Sequence, residues 1–381
     1  MTQMAELAVT NRAPAAMIGG TIPLIDVAGH LAGDAEASLR AATELRWAFE
    51  NVGFYYLTGH GVLQSLIDRT YDAAARFHAQ PLASKLALKV DEHNIGYLPI
   101  SDEASPQAAA QDRKPSQNEA YFLRRERTPG DPAVIANRRF HGLNQWPNDL
   151  PGFRETALEY MRTLEGLCRR LLALYALALG LPADFFDACF AEPHMIPRMS
   201  RYPIIDGEDE SVASLVPHTD SGFMTLLPPN RVPGLSILLP RGRWIDAPGI
   251  DGAYVVNGGD ILHRWTTSGF CRPRTASATF RARCAMRSRS SAIPIMTLSL
   301  NACRPAAPRI TPKNIRRSAS ATTPYGLPAR ATSTWRTSPS CQTRSSRLEH
   351  EPLRAGKCDA LASENGLAAS APRYCSLNRP S

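Results

Sequence analysis

His218 and Asp220 are the residues whose types and spacing carry the clearest chemical meaning in this chain. In a β-strand, residues i and i+2 point to the same face, so this imidazole and this carboxylate can bind one ion together. Two histidines and one carboxylate leave open positions on ferrous iron, which suits chemistry with O2. The His-x-Asp triplet alone is a weak signal, because an ordinary surface strand produces it by chance. Its weight depends on the elements around it.

The pattern around this triplet predicts a mixed α/β body. Three helices are predicted from three- and four-residue apolar spacing, over residues 34–50, 62–80 and 151–178. Short apolar runs between turn residues predict strands, over residues 22–26, 52–57, 199–203, 221–227, 235–239, 244–245 and 253–257. A polar stretch, about residues 91–117, predicts a loop or a lid. Many short strands in the second half favour a double-sheet structure such as a jelly roll.

Composition and charge exclude several classes of protein. The 381 residues are 44% hydrophobic, which is typical of a globular chain. No apolar run approaches the roughly 18 residues of a membrane span, and the N-terminus lacks a secretory pattern, so we expect a cytoplasmic protein. The net charge is +8, but residues 271–381 alone carry 19 Lys and Arg against 4 Asp and Glu. The positive excess therefore lies in the tail, and the body offers no basic surface that favours nucleic acid.

Several motifs, in order, make the chain resemble the isopenicillin N synthase-like family of 2-oxoglutarate and Fe(II) dioxygenases over about residues 20–270. They are Ile22-Pro-Leu-Ile-Asp26, Gly53-Phe-Tyr-Tyr-Leu-Thr-Gly-His-Gly61, Asn144-Gln-Trp-Pro147, Arg201-Tyr-Pro203, Pro217-His-Thr-Asp220, Val232-Pro-Gly-Leu235, Gly242-Arg-Trp-Ile-Asp246 and Val256-Asn-Gly-Gly-Asp260. The resemblance implies an α+β fold, a distorted jelly roll (double-stranded β-helix) with flanking helices. It also implies that His218 and Asp220 bind iron and that Tyr202 lies near the co-substrate or substrate. Fe(II), 2-oxoglutarate and O2 would then oxidise a small molecule by hydroxylation, desaturation, ring closure or ethylene formation.

Four other polar features have a simpler interpretation. His60 is expected to be a turn residue, and Asn118-Glu119 and Arg138-Arg139 are expected to face solvent or pair locally, although either pair can also face substrate. His263, on a predicted strand or at its end, precedes the region, about residues 270–280, where the family places its second iron histidine. We therefore do not assign it as a ligand.

The family pattern breaks after Phe270. The family continues with Leu-Ser-Thr-Pro-His-Arg-Val and, about ten residues later, an arginine that binds 2-oxoglutarate, whereas this chain reads Cys271-Arg-Pro-Arg-Thr-Ala-Ser277. Allowed codons read from the last base of the Phe270 codon restore the missing motif. The single-codon residues Met286 and Met296 also fit this shifted frame. Our hypothesis is that one base has been lost near codon 270.

The tail and the division of the chain follow from this break. Residues 271–348 contain no Asp or Glu, and Arg, Ser, Thr, Ala and Pro dominate, so we expect a disordered tail in place of the last strands. The predicted parts are a flexible N-terminus, an N-terminal dioxygenase region, an incomplete jelly-roll core and the basic tail, over residues 1–20, 21–140, 141–270 and 271–381. Two iron ligands hold metal loosely, so we expect impaired activity. The alternatives are a non-catalytic binding module and a tail that binds nucleic acid through phosphate contacts.

Overall fold

The structure, a computed structural model, describes residues 13–100, 118–202, 218–229, 234–240, 242–266, 274–276 and 293–301. These residues belong to one compact unit, residues 1–329. The helices are α1 (Ala28–Leu31), α2 (Ala35–Asn51), α3 (Gln64–His78), α4 (Leu82–Leu86), α5 (Pro132–Ile135), α6 (Phe153–Ala178) and α7 (Asp260–Trp265). The strands are β1 (Met17–Ile18), β2 (Ile22–Asp26), β3 (Phe54–Thr58), β4 (Gly96–Leu98), β5 (Glu119–Phe122), β6 (His194–Tyr202), β7 (Met224–Leu227), β8 (Ser236–Leu238), β9 (Trp244–Asp246), β10 (Tyr254–Gly258), β11 (Arg274–Ala276) and β12 (Ile293–Asn301).

The strands form one large sheet and one small sheet. The large sheet has nine strands in the order β1-β2-β3-β10-β7-β12-β6-β5-β4, and the small sheet has the order β11-β8-β9. Strands β2 and β3 are parallel, and the other named pairs are antiparallel. Chain neighbours are often far apart in the sheet, so β7 and β10 meet only after the chain has left to form β8 and β9.

The large sheet has one face toward the helices and one toward the small sheet. On β10, Val256 belongs to the core that contains the buried residues of α2, α3 and α6. Its neighbour Val255 belongs to a second core that includes Ile237 of the small sheet. Because side chains alternate along a strand, this pair defines the two faces. We call the face that carries Val255 the interior face.

The long helices form where the sequence supplies both a start and an apolar stripe. The Asp34 side chain accepts hydrogen bonds from the backbone N–H groups of Glu36 and Ala37, which caps α2. In α6, Leu164 and Leu171 are fully buried, so the predicted leucine stripe is confirmed as core. These helices cover the face of the sheet opposite to the interior face, and they leave the interior face to the small sheet and the candidate site.

Some predicted boundaries were wrong. Strand β6 begins at His194, five residues before the predicted start, and β4 lies within the stretch predicted to be a loop, whose residues 101–117 are outside the described residues. Strands β11 and β12 come from the segment that we predicted to be disordered. Apolar and Thr residues dominate β12, and it pairs with β6 on one side and β7 on the other, so its backbone groups are hydrogen-bonded. Residues 302–381 lie outside the described residues.

A helix that crosses a bilayer must be about 20 residues long and mostly apolar. None of the described helices is both long enough and apolar enough to cross a membrane.

Candidate metal centre

His218 and Asp220 lie on the short segment that leads into β7. Nε2 of His218 is 3.6 Å from Oδ1 of Asp220, and the two side chains are 28% and 18% exposed. Two ligand atoms at right angles on one ion, each about 2.1 Å from it, lie about 3 Å apart. The pair is therefore close to the geometry of a shared metal, and it remains open to a small solute.

The carboxylate of Asp220 is held from the neighbouring strand. Asn257, buried on β10, donates from Nδ2 to Oδ2 of Asp220 at 2.8 Å. Burial alone would raise the pKa of Asp220, but hydrogen bonds from His218, Asn257 and Thr225 lower it below its ordinary value. Thr225 and Asn257 are direct partners across β7 and β10, so one position of the sheet supplies both groups. The result is an oriented anionic donor, which a divalent cation requires.

The backbone around Asp220 is fixed by the corner between β10 and α7. The N–H of Asp260 donates to the carbonyl oxygen of Asp220 at 2.7 Å, and the N–H of Ile261 donates to the carbonyl of Gly222 at 3.1 Å. Gly259 makes this approach possible, because a Cβ atom at this position would lie 2.2 Å from the Gly222 oxygen. The motif Asn257-Gly-Gly-Asp260 indicates this corner in the sequence. The sequence does not indicate that the corner bonds to the segment that carries Asp220.

Known proteins share sequence patterns with two regions of this chain. Two family models match, the N-terminal region of non-haem dioxygenases in morphine synthesis over residues 22–149 and the 2OG-Fe(II) oxygenase superfamily over residues 191–291. A 2-oxoglutarate-Fe(II) type oxidoreductase, hxnY, of Emericella nidulans is 34% identical over 250 residues, which is 64% of this chain and 70% of the relative. The chain belongs to the 2-oxoglutarate/Fe(II) oxygenase superfamily.

Two further relatives agree with this membership. Validamycin A dioxygenase of Streptomyces hygroscopicus subsp. limoneus is 29% identical, with 65% of this chain and 68% of that protein covered. The crystal structure of a full-length Neurospora crassa protein in complex with α-ketoglutarate and thymine superimposes with a TM-score of 0.63 at 25% identity, and covers 77% of this chain and 89% of that one. The predicted family and the jelly-roll fold with flanking helices are confirmed. So is the class of reaction, an oxidation coupled to 2-oxoglutarate and O2 with Fe(II).

The donor set of an oxygenase of this superfamily is only partly present in this structure. The residues that the structure describes contain no group of three His, Cys, Asp or Glu side chains able to hold a metal. His263 lies on helix α7 and not on the predicted strand, and its N–H donates to the carbonyl of Gly259. His218 and Asp220 suit Fe(II) in donor chemistry, but within the described ranges the third ligand is absent. Among the described residues, the set of three ligands is therefore incomplete.

The other predicted site residues lie away from this pair. Tyr202 is the last residue of β6. Met195 of β6 and Met224 of β7 are both opposite Leu300, so they lie at the same level of the sheet. Tyr202 lies seven residues after Met195, whereas Asp220 comes before Met224, so the two residues lie in opposite directions from this level. The strand register does not place Tyr202 beside Asp220, and its contact with co-substrate stays a prediction.

His60 and the pair Arg138-Arg139 follow the simpler interpretation, whereas Asn118-Glu119 does not. His60 is buried in a turn, where its ring nitrogens pair with the carbonyl of Gly252 at 3.1 Å and the N–H of Val62 at 3.0 Å. Asn118 and Glu119 are both buried, and Glu119 pairs with Lys85, which is 34 residues away in the chain, so the prediction that they face solvent or pair locally was wrong. Arg138 and Arg139 are exposed to solvent. None of these arrangements adds a donor to the metal centre.

Proposed function

We propose that His218 and Asp220 are two of the three iron ligands of this oxygenase. The observation that carries the proposal is an imidazole and a carboxylate 3.6 Å apart. Hydrogen bonds from His218 and from the buried amide of Asn257 also lower the pKa of the carboxylate. Fe(II) held by these residues would supply the activation of O2 that this superfamily couples to the decarboxylation of 2-oxoglutarate. The residues of this chain contribute the two donors, the partly enclosed interior face and the hydrogen bonds that orient Asp220.

The substrate is proposed to be a small polar molecule. The names of the relatives support this class, since one acts on validamycin A and another was crystallised with thymine. The division into an N-terminal region, residues 21–140, and a jelly-roll core, residues 141–270, stays a prediction. So do the cytoplasmic location and the absence of a nucleic-acid partner.

The chain as written is proposed to have weak or no activity. A single lost base near codon 270 accounts for the missing histidine, the missing 2-oxoglutarate arginine and the acid-free tail together. Two protein ligands hold Fe(II) less tightly than three, and the co-substrate loses its cationic partner. Consumption of 2-oxoglutarate at ordinary enzyme rates by the purified 381-residue chain would refute this part of the proposal.

An anaerobic titration with Fe(II) tests the ligand assignment. We expect the full chain to bind one equivalent weakly, and His218→Ala to bind at least tenfold more weakly. His141→Ala is the matched control, because Nδ1 of His141 pairs with the carbonyl of Arg139 and its ring packs against His194. Equal affinity of His218→Ala and the wild type would overturn the assignment and favour a non-catalytic binding module.

A further inference from the structure

Arg198 and Phe122 are partners on the interior face of the large sheet. They are directly opposite each other across β6 and β5. The next pair along, Met199 and Tyr121, packs into the core beside the helices. Because side chains alternate, Arg198 and Phe122 must point to the other side, which is the interior face.

The same face carries the groups that hold Asp220. Asn257 alternates with Val256 on β10, and its partner Thr225 is opposite Ser299 on β12. Ser299 is in turn opposite Ile196, two residues before Arg198 on β6. The backbones of Thr225 and Arg198 are separated by two strand spacings of about 4.8 Å across the sheet and by one two-residue step of about 6.7 Å along it. The diagonal of these two distances is roughly 12 Å. A small molecule together with the arginine side chain can span this gap.

The guanidinium of Arg198 is partly buried, and one of its donors lacks an acceptor among the described residues. Its central carbon lies 5.4 Å from the centre of the Phe122 ring. Its Nε is buried and, within the part of the chain that the structure describes, has no hydrogen-bond partner. Arg125 also has an unpaired buried Nε, but a terminal nitrogen of its guanidinium pairs with Glu165 at 2.7 Å. A buried donor without an acceptor costs about 1–3 kcal/mol, so the position of Arg198 indicates an acceptor that arrives with a ligand.

An apolar side chain lies on the same side of the sheet. Leu98 on β4 is opposite Ala120, which is opposite Ser200 on β6. Ser200 shares the face of Arg198, so Leu98 shares it as well, and it is 39% exposed. A cation on a phenyl ring beside an exposed leucine suits a molecule with a carboxylate on an apolar or planar body.

We propose that Arg198, stacked on Phe122, binds the carboxylate of a small ligand that extends across the interior face toward Asp220. The proposal rests on the proposed function for the site at Asp220, and where the carboxylate is that of the substrate it narrows the substrate class to carboxylic acids. The carboxylate belongs either to the oxidised substrate or to 2-oxoglutarate, and both sources are separate arms of the test.

Calorimetric titration of the full chain with benzoate, benzamide and 2-oxoglutarate is the test. We expect wild type to bind benzoate and not benzamide, and Arg198→Gln to lose at least tenfold in benzoate affinity. Arg139→Gln is the matched control, because Arg139 lies 4.6 Å from the Phe140 ring but is exposed to solvent. If Arg198→Gln loses only the binding of 2-oxoglutarate, the carboxylate that Arg198 binds is that of the co-substrate. Unchanged binding of both acids by Arg198→Gln, or no binding of either acid by wild type, overturns the proposal.

Two additions keep the result interpretable. Arg198→Lys retains the charge but not the planar fork, so we expect an intermediate affinity from a chain that still folds. The titrations are repeated on His218→Ala without metal. Arg198-dependent benzoate binding with no loss of Fe(II) affinity in His218→Ala would reject the metal assignment and keep the carboxylate site.

Discussion

At the scale of single residues, Asp220 depends on a side chain that lies 37 positions later. Asn257 contributes one hydrogen bond of 2.8 Å, and with it fixes which carboxylate oxygen faces His218. A carboxylate that a neighbour orients binds a metal without first losing rotational freedom. In the proposed iron site, Asn257 therefore acts through Asp220 and is a positioning residue.

Asn257→Ala is expected to weaken Fe(II) binding by about tenfold or more, because the carboxylate loses its buried donor. Anaerobic titration of the full chain measures the change. Asn51→Ala is the control, since Asn51 also donates its side-chain N–H at 2.8 Å, but to a helix carbonyl on the surface. A variant of Asn257 with wild-type affinity would show that Asp220 is oriented by other groups.

At the scale of elements, two contacts fix the parts of the fold that surround the site. One is the corner of β10 and α7, where three N–H groups bond to the carbonyls of the segment that follows His218. The other is a buried charge cluster centred on Glu119 of β5. Glu119 pairs with Lys85 at 2.8 Å and with Arg201 at 2.6 Å, and accepts a hydrogen bond from Tyr97. This cluster connects α4, β4, β5 and β6.

Gly259→Ala is expected to lower both stability and metal affinity. The added Cβ would lie 2.2 Å from the Gly222 oxygen and 2.8 Å from the Asp220 oxygen, so the segment that carries Asp220 must move. Overpacking of this kind costs about 1–3 kcal/mol. Urea unfolding and Fe(II) titration measure the two effects. Gly130→Ala, where the new methyl group meets open space, should change neither. An unaltered Gly259→Ala variant would argue against the corner as a support of the site.

Glu119→Gln is expected to destabilise the fold by about 3 kcal/mol at neutral pH, because Lys85 is left buried without its counter-ion. Urea unfolding measures the loss. The control is Glu159→Gln, whose pair with Arg69 is more than half exposed and should contribute less than about 1 kcal/mol. Equal effects of the two substitutions would contradict the assignment of a buried cluster.

The same cluster predicts a dependence on pH. Burial tends to raise the pKa of Glu119, but hydrogen bonds from Arg201, Lys85 and Tyr97, together with His78 at 3.6 Å, hold it well below its ordinary value of 4.5. A depressed pKa stabilises the folded state above the unfolded pKa and loses that effect as the pH falls through the folded pKa. The stability gap between wild type and Glu119→Gln should therefore be constant near neutrality and narrow below about pH 4.5. A gap that widens on acidification would show that folding raises the pKa of Glu119, which is the opposite of this prediction.

At the scale of the whole molecule, the chain combines an oxygenase body with a tail of different composition. Strand β12 pairs with both β6 and β7 in the large sheet, yet it comes from the segment that contains no acidic residue. A strand position accepts many sequences of alternating apolar residues, because backbone pairing supplies most of its requirements. The third iron histidine and the arginine that binds 2-oxoglutarate in this family have no such tolerance. Those are the two residues that the proposed frameshift would remove.

Insertion of one base near codon 270 is expected to restore turnover of 2-oxoglutarate and raise Fe(II) affinity at least tenfold, because the third ligand returns. Succinate release and anaerobic titration measure the two. An insertion near codon 300 is the matched control, since it changes the tail without restoring the histidine. Resequencing across codons 265–290 decides whether the base is missing from the gene. Equal activity of the written and restored chains would refute the frameshift hypothesis.

The sequence by itself determined the family, the main helices and most strands of the body, and the pairing of His218 with Asp220. The helices and strands follow from local patterns, namely the apolar spacing of a helix and the alternation of a strand, and the family and the pair His218–Asp220 follow from ordered motifs along the chain. Only the tertiary structure decided that Asn257 holds Asp220, that Glu119 is enclosed by cations and that Arg198 shares the interior face with Asn257 and Thr225. Each depends on register between strands distant in sequence, and a shift of one residue would turn every side chain to the opposite face.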